Sequence, residues 1–371
     1  MFDSGSFIVY NLLLVASIWL LGFKSRALIT KESYQVKGLI TKDYVFLFLL
    51  TCVVALRYDV GKDWQGYVEI YNFYGKNDYN VNYGTIEIGF RYLNWIFGTL
   101  NLGHEILFGV IAFISWMLIL RSTESHLKYL FIVFLFLDGH FFWSMSGIRQ
   151  FLVMSLWLFS IKYIRDKQLF LFSICLLFGA LFHLSALLLF PLYFIRDSLI
   201  GNIRIWYILY AITFVAGILE IGPDIVQKSL FSVLDKLPLY SKSVNVYLGQ
   251  EFAANTVKIG FGFIWQSLVN IYIFIYSRRV MQENPDYRLY FILFFIGICL
   301  FNLTYTVNII NRFSGYLLIL RPLCLALIIG SQINYRPMRA QALIVIMLYW
   351  IFFLSLIYNS ASQCAPYKIL I

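Results

Sequence analysis

Apolar runs of about 15–20 residues recur along the whole chain, separated by short polar breaks. Each approaches the roughly 20 residues that a helix needs to cross a ~30 Å hydrocarbon core. Taken as spans, they occupy residues 7–23, 43–57, 104–120, 129–145, 148–164, 168–182, 184–196, 205–221, 259–277, 289–304, 313–333 and 341–358. The alternation over about ten residues that marks a membrane β-strand is not seen. The pattern predicts an all-α polytopic membrane protein with about 12 transmembrane helices (about 10–14), forming one integral membrane domain over residues 1–371.

Three segments depart from that pattern. In "IEIGFRYLNWIFGTL", residues 86–100, Glu87 and Arg91 lie one helical turn apart, and Phe90, Leu93, Ile96 and Phe97 share a face. This predicts an amphipathic helix lying on the outer surface, within an outer loop spanning 58–103. The run 168–196 is split near His183 into two short segments. Segment 222–258 is too long for a simple connector. Within it, "IVQKSLFSVLDKL" sets Val226, Leu230, Leu234 and Leu237 on one face, either as a lid or as a passive interfacial helix.

Composition strengthens the membrane reading. The chain is 61% hydrophobic and 13% charged, with mean hydropathy +0.76; soluble domains carry about 25% charged residues. A net charge of +10 raises the question of nucleic acid, but no basic patch or nucleic-acid motif accompanies it. Cytoplasmic loops facing anionic lipid account for the excess. "MFDSGSFIVYN" lacks a basic leader and "FKSR" follows the first apolar run, so the first span is expected to be uncleaved and to start outside. The connections that then fall inside carry most of the 29 Lys and Arg. Of five cysteines, only Cys364 lies outside the apolar runs and is expected to be exposed. No disulfide framework or metal-ligand spacing is present, so neither metal nor cofactor is expected.

This orientation brings ionisable groups from four regions to the outer leaflet. Arg57, Tyr58, Asp59, Asp63 and Tyr67 follow the second span; Arg149 and Gln150 open the fifth; His183 marks the split; Asn308, Asn311 and Arg312 enter the eleventh. Charges at span ends snorkel, pair or face a wet cavity. Three guanidinium forks suit a phosphate or diphosphate, and Asp63 and His183 are candidate proton acceptors. Tyr58, Trp64, Tyr67, Tyr71 and Tyr74 offer flat faces for sugar C–H groups.

The order "RYDVGKDWQGY", "SGIRQFLVMSLWLFSIKYI", "LFGALFHLSALLLFPLY", "NRFSGYLLIL" resembles the EpsG-like branch of the Wzy-type bacterial polysaccharide polymerases, over residues 45 to 320. The shared patterns fall on Arg57, Gly61, Asp63 and Tyr67; on Gly147, Ile148, Arg149 and Gln150; and on Phe182, His183 and Ser185. The resemblance implies an inner-membrane enzyme with its site facing the periplasm or cell exterior. Such enzymes join undecaprenyl-diphosphate-linked oligosaccharide units, donor and acceptor both, into exopolysaccharide or O-antigen, some with a chain-length regulator as partner. On that implication Arg149 and Arg312 hold diphosphate with Asn311 and Gln150 beside them. Arg57, Asp59 and Tyr67 meet either substrate, and His183 or Asp63 takes the hydroxyl proton. A glycosyltransferase that adds one sugar from a polyprenyl phosphate, or a transporter of lipid-linked oligosaccharide, would share the spans and cationic residues.

Overall fold

The computed structural model of the protein describes residues 3–22, 39–76, 86–123, 127–196, 203–219, 260–285, 287–304 and 308–370. Among them there is no strand, only one isolated bridge between Arg57 and Ile369. The helices are α1 (Ser4–Gly22), α2 (Thr41–Ala55), α3 (Trp64–Gly75), α4 (Ile88–Thr99), α5 (His104–Ser122), α6 (Lys128–Leu137), α7 (His140–Ser146), α8 (Ile148–Arg165) and α9 (Leu169–Ala180). A 3₁₀ helix, Leu184–Phe194, follows, then α10 (Ile203–Ile218), α11 (Phe261–Glu283), α12 (Tyr287–Thr304), α13 (Asn308–Leu318), α14 (Leu320–Asn334) and α15 (Arg339–Tyr358). A backbone in lipid must satisfy its own hydrogen bonds, which is why the apolar runs become helices.

Each of the expected spans coincides with a helix or a helix pair, but fewer are long and apolar enough to cross a membrane. Among the described residues five qualify: Ser4–Gly22, His104–Ser122, Tyr287–Thr304, Arg312–Asn334 and Arg336–Tyr358. The pair Lys128–Leu137 and His140–Ser146, bent by 68°, makes a sixth if counted as one span. The shortfall has a physical origin. The 15 residues of α2 and 12 of α9 rise only ~22 Å and ~18 Å, and α8 carries Arg149, Lys162 and Arg165.

The break between α6 and α7 falls on Asp138-Gly139-His140. Gly139 takes φ 84°, a left-handed conformation that ends the helix, and a Cβ there would stand 2.9 Å from Leu356. Asp138 lies 3.7 Å from His140 Nδ1, both side chains buried. The break at His183 is also present, between α9 and the 3₁₀ helix.

The chain forms two compact units, Met1–Phe194 with Leu325–Ile371, and Ile195–Cys324. In the first, α5 packs between α2 and α8, α1 against α2 and α6, and α8 against α9, which pairs with the 3₁₀ helix. At its core Phe136 stacks on Phe141 at 4.6 Å, with Trp116 against both. Asp43 and Lys128 form a buried ion pair (3.3 Å) between α2 and α6, and Asp43 also accepts from the Ile40 amide. In the second, α12 packs against α10, α11 and α13. Burial separates interior from exposed helices: 89% of the Arg312–Asn334 window is buried against 22% of that in Arg336–Tyr358. The latter turns Leu343, Met347, Trp350 and Ile351 outward.

Helix α4 covers most of the segment expected to be amphipathic, with Phe90 and Asn94 buried and Ile96 exposed. It packs against α3 and α5. The expected lid within 222–258 lies outside the described residues.

Candidate functional site

The segment between α2 and α3 folds around one carbonyl. Arg57 follows the C-terminus of α2, where the last carbonyls have no helical partner and a cation is favoured. Its Nη1 donates to Val54 O, its Nε to Val60 O at 3.1 Å and its Nη2 to Met145 O at 3.0 Å. The guanidinium also lies 5.2 Å from the Phe108 ring centroid and is 1% exposed. Burial pulls its pKa down to about 10, so it remains charged at neutral pH. Gly61 approaches the same Met145 carbonyl. Its φ of 104° suits glycine, and a Cβ would sit 2.7 Å from that oxygen. The arginine of the Arg-x-x-x-Gly pattern thus binds a carbonyl of α7, and its glycine leaves room for the close approach of that group.

The C-terminal tail binds this loop from the other side. Tyr58 N donates to Lys368 O, Gly61 N to Gln363 O, Lys62 N to Ser362 O and Leu370 N to Leu56 O, all at 2.8–2.9 Å. Asp59 is exposed; its carboxylate takes Lys368 Nζ (3.5 Å) and Gln65 Nε2 (3.1 Å). Cys364, expected to be exposed, is 1% exposed instead, with Sγ 3.6 Å from Phe142 O. The tail folds inward over the loop, and burial drives the Cys364 thiol up to about 12. The tail was invisible as a functional element in the sequence because its contacts are mostly backbone to backbone.

Asp63 immediately precedes α3 and is exposed, one turn before Tyr67. Tyr67 is buried, its pKa raised by desolvation against the opposing pull of the nearby Arg149 charge. Arg149 stands in the first turn of α8, 5.7 Å from the Tyr67 ring centroid and 5.4 Å from that of Phe90. Asp63 is close enough to both to act on their charge. Gln150, beside it on α8, is buried.

Glu87, which immediately precedes α4, completes the group. Its Oε2 accepts from Arg149 Nη1 at 2.5 Å and its Oε1 from the Leu184 amide at 3.3 Å. Gly89 N donates to Leu181 O at 2.8 Å, fixing the start of α4 against the His183 turn. By spacing Glu87 pairs with its helical neighbour Arg91, but its partner in the fold is 62 residues away.

His183 opens the 3₁₀ helix. Its Nδ1 accepts from the Ser185 amide (3.4 Å) and lies 2.8 Å from Ser185 Oγ. An amide N–H can only donate, so the neutral ring carries its proton on Nε2. This is helix-capping geometry and gives the Phe-His-x-Ser pattern a local reason. Of the five aromatic residues that could stack on sugar, Trp64, Tyr67 and Tyr71 are buried, Trp64 and Tyr71 against His104. Only Tyr58, 48% exposed, and the partly exposed Tyr74 offer accessible faces.

The first unit therefore brings Asp63, Tyr67, Glu87, Arg149 and the His183 turn together from four stretches of chain. Arg57 and Asp59 lie in the loop alongside, engaged by carbonyls and by Lys368 respectively. Arg312 is exposed on α13 in the second unit, with Asn311 preceding it. Among the described residues no three His, Cys, Asp or Glu side chains gather as metal ligands.

This arrangement carries the patterns on which the likeness to a known family rests, and that family matches residues 43–369. The chain belongs to the EpsG family. The match takes in the loop, the α8 start, the His183 turn and the tail as far as Ile369. EpsG-family proteins are associated with glycosyltransferase-like polysaccharide polymerases, and the apolar helices agree with a membrane protein. No curated protein and no solved structure matched the chain.

Proposed function

We propose that the protein is a polysaccharide polymerase that joins oligosaccharide repeat units carried on a polyprenyl diphosphate, undecaprenyl diphosphate in bacteria. In this reading the growing chain moves from its lipid carrier onto a new lipid-linked unit, without metal, at the outer face of the inner membrane. Donor, acceptor and lipid are its partners, with a chain-length regulator as a further one. The supporting observation is the meeting of a partly exposed arginine, Arg149, with Asp63, Glu87, Tyr67 and the His183 turn.

In the reaction the acceptor hydroxyl oxygen attacks the anomeric carbon of the donor. The bond from that carbon to the diphosphate oxygen breaks, and its electron pair leaves with the diphosphate. Arg149, at the positive end of the α8 dipole, stabilises that developing charge, and Gln150 beside it helps hold the diphosphate. Arg57 and Asp59 shape the loop that presents Asp63. The attacking hydroxyl must lose a proton. His183, whose Nδ1 lone pair faces the Ser185 amide, is better suited to hold the turn, which leaves the carboxylates Asp63 and Glu87 as acceptors.

The test is deletion of the gene, followed by gel analysis of surface polysaccharide with wild-type or Arg149→Ala protein restored. Wild type should restore a ladder of repeats, and Arg149→Ala should leave single units at normal protein level. A ladder that survives deletion, or a product with one added sugar, overturns the reading.

A further inference from the structure

One end of the second unit gathers arginines from three helices. Arg204 opens α10, Arg278 and Arg279 lie in the last two turns of α11, and Arg288 opens α12; all four are exposed. Contacts between the helices set them level. Ser277 Oγ lies 2.7 Å from Tyr287 OH, each the residue before an arginine. Trp206, two residues after Arg204, has its ring centroid 6.2 Å from that of Phe291, three residues after Arg288. Tyr207 OH donates to Phe274 O at 3.1 Å, one turn before Arg278, which ties α10 to α11.

Ordinary anchoring of span ends does not account for this set. Arg288 is the one residue of α12 that is exposed, the rest being buried or half-buried. Among the described residues Arg279 pairs with Glu283 at 2.8 Å, whereas Arg278 and Arg288 make no hydrogen bond or ion pair. Two guanidinium forks therefore stay open, and each matches the oxygens of a phosphate. Exposed apolar stripes lead to the same end. On α11, Leu268, Ile271 and Ile275 share a face that runs on into Arg278 and Arg279; on α10, Ile208, Ile212 and Val215 continue the face that Arg204 begins.

We infer that the arginine end of α10, α11 and α12 is a binding site for an anionic phospholipid with two phosphates. Its phosphodiesters lie on Arg278 and Arg288 and its acyl chains along the α10 and α11 stripes. The site goes beyond the proposed function and does not depend on it. Two stripes on separate helices call for several chains, which a diphosphatidylglycerol has and a single-chain isoprenoid diphosphate lacks. On the orientation expected from the sequence, this end faces the cytoplasm, where basic pockets between helices meet anionic headgroups. A lipid held there ties three helix ends together, and binding only the folded protein stabilises it.

The test adds tetraoleoyl diphosphatidylglycerol, dioleoyl phosphatidylglycerol or farnesyl diphosphate to the purified full-length protein in detergent, read by native mass spectrometry and thermal unfolding. Diphosphatidylglycerol should bind one per protein, about tenfold more tightly than phosphatidylglycerol, and raise the unfolding temperature. A basic residue beside an anionic headgroup changes affinity roughly fivefold. Arg278→Gln and Arg288→Gln should therefore each weaken binding about fivefold, and the double variant roughly 25-fold. Arg165→Gln with Lys167→Gln, which removes the same charge from exposed residues at the end of α8, should bind as wild type does. Equal affinity for the two phospholipids, arginine variants that bind as tightly as wild type, or equal weakening by the α8 pair overturns the site. Tighter binding of farnesyl diphosphate overturns it too, by assigning the arginines to an isoprenoid diphosphate. Should the variants not fold, the comparison of the three lipids on wild type decides alone.

Discussion

Replacing Arg57 with alanine separates a scaffold arginine from a substrate-binding one. The side chain donates to three backbone carbonyls, of Val54, Val60 and Met145, and is 1% exposed. A hydrogen bond from a charged donor contributes roughly 1.5–3 kcal/mol, and a buried acceptor left unpaired costs about 1–3 kcal/mol. Three such bonds give about 5–9 kcal/mol gross. Alanine recovers the several kcal/mol spent in burying the cation, which leaves a net loss of roughly 2–4 kcal/mol. Arg57→Lys keeps the charge, but one ammonium cannot reach carbonyls set in three directions, so a loss of about 2 kcal/mol is expected. The assay is thermal unfolding of the full-length protein in detergent, read alongside polymer length in complemented cells. Both variants should unfold at lower temperature and make little polymer. If Arg57→Ala unfolds like wild type yet makes no polymer, the arginine acts on substrate and the scaffold argument fails.

Two other outcomes follow from the same geometry. Cys364, buried under the tail with its thiol driven up to about 12, should resist maleimide at pH 7.5 until the protein unfolds; rapid labelling of folded protein would place the tail elsewhere. If His183 acts by accepting the Ser185 amide, His183→Asn, which retains an acceptor, should keep much of the polymerisation that His183→Leu loses. Equal loss in both would assign the imidazole to proton transfer instead.

Several parts of the site were legible in the sequence because their signals are local. Arg149 stood out beside small residues at a span start, and Asp63 and Tyr67 are one helical turn apart by spacing alone. The break at His183 was marked by polar residues interrupting an apolar run. Other parts carried no such mark. Glu87 looked like one half of a surface pair with Arg91, since an i, i+4 spacing is satisfied locally and nothing in the letters points across 62 residues. Trp64 and Tyr71 looked like interfacial anchors or sugar platforms, and only packing against His104 shows that their faces are covered.

Sequence alone determined the all-helical membrane character and where its apolar segments begin and end, because hydropathy and helical hydrogen bonding are properties of contiguous residues. How many helices are long and apolar enough to cross was decided by their folded lengths, as at α2 and α9, by the charges α8 carries and by the bend at Gly139. Only the tertiary structure decided that Arg57 and Gly61 share the Met145 carbonyl, that the tail closes over the loop, and that Arg149 answers to Glu87. Each of those depends on a partner distant along the chain, and in two of the three that partner is a backbone group, which every residue carries and no side-chain pattern can announce.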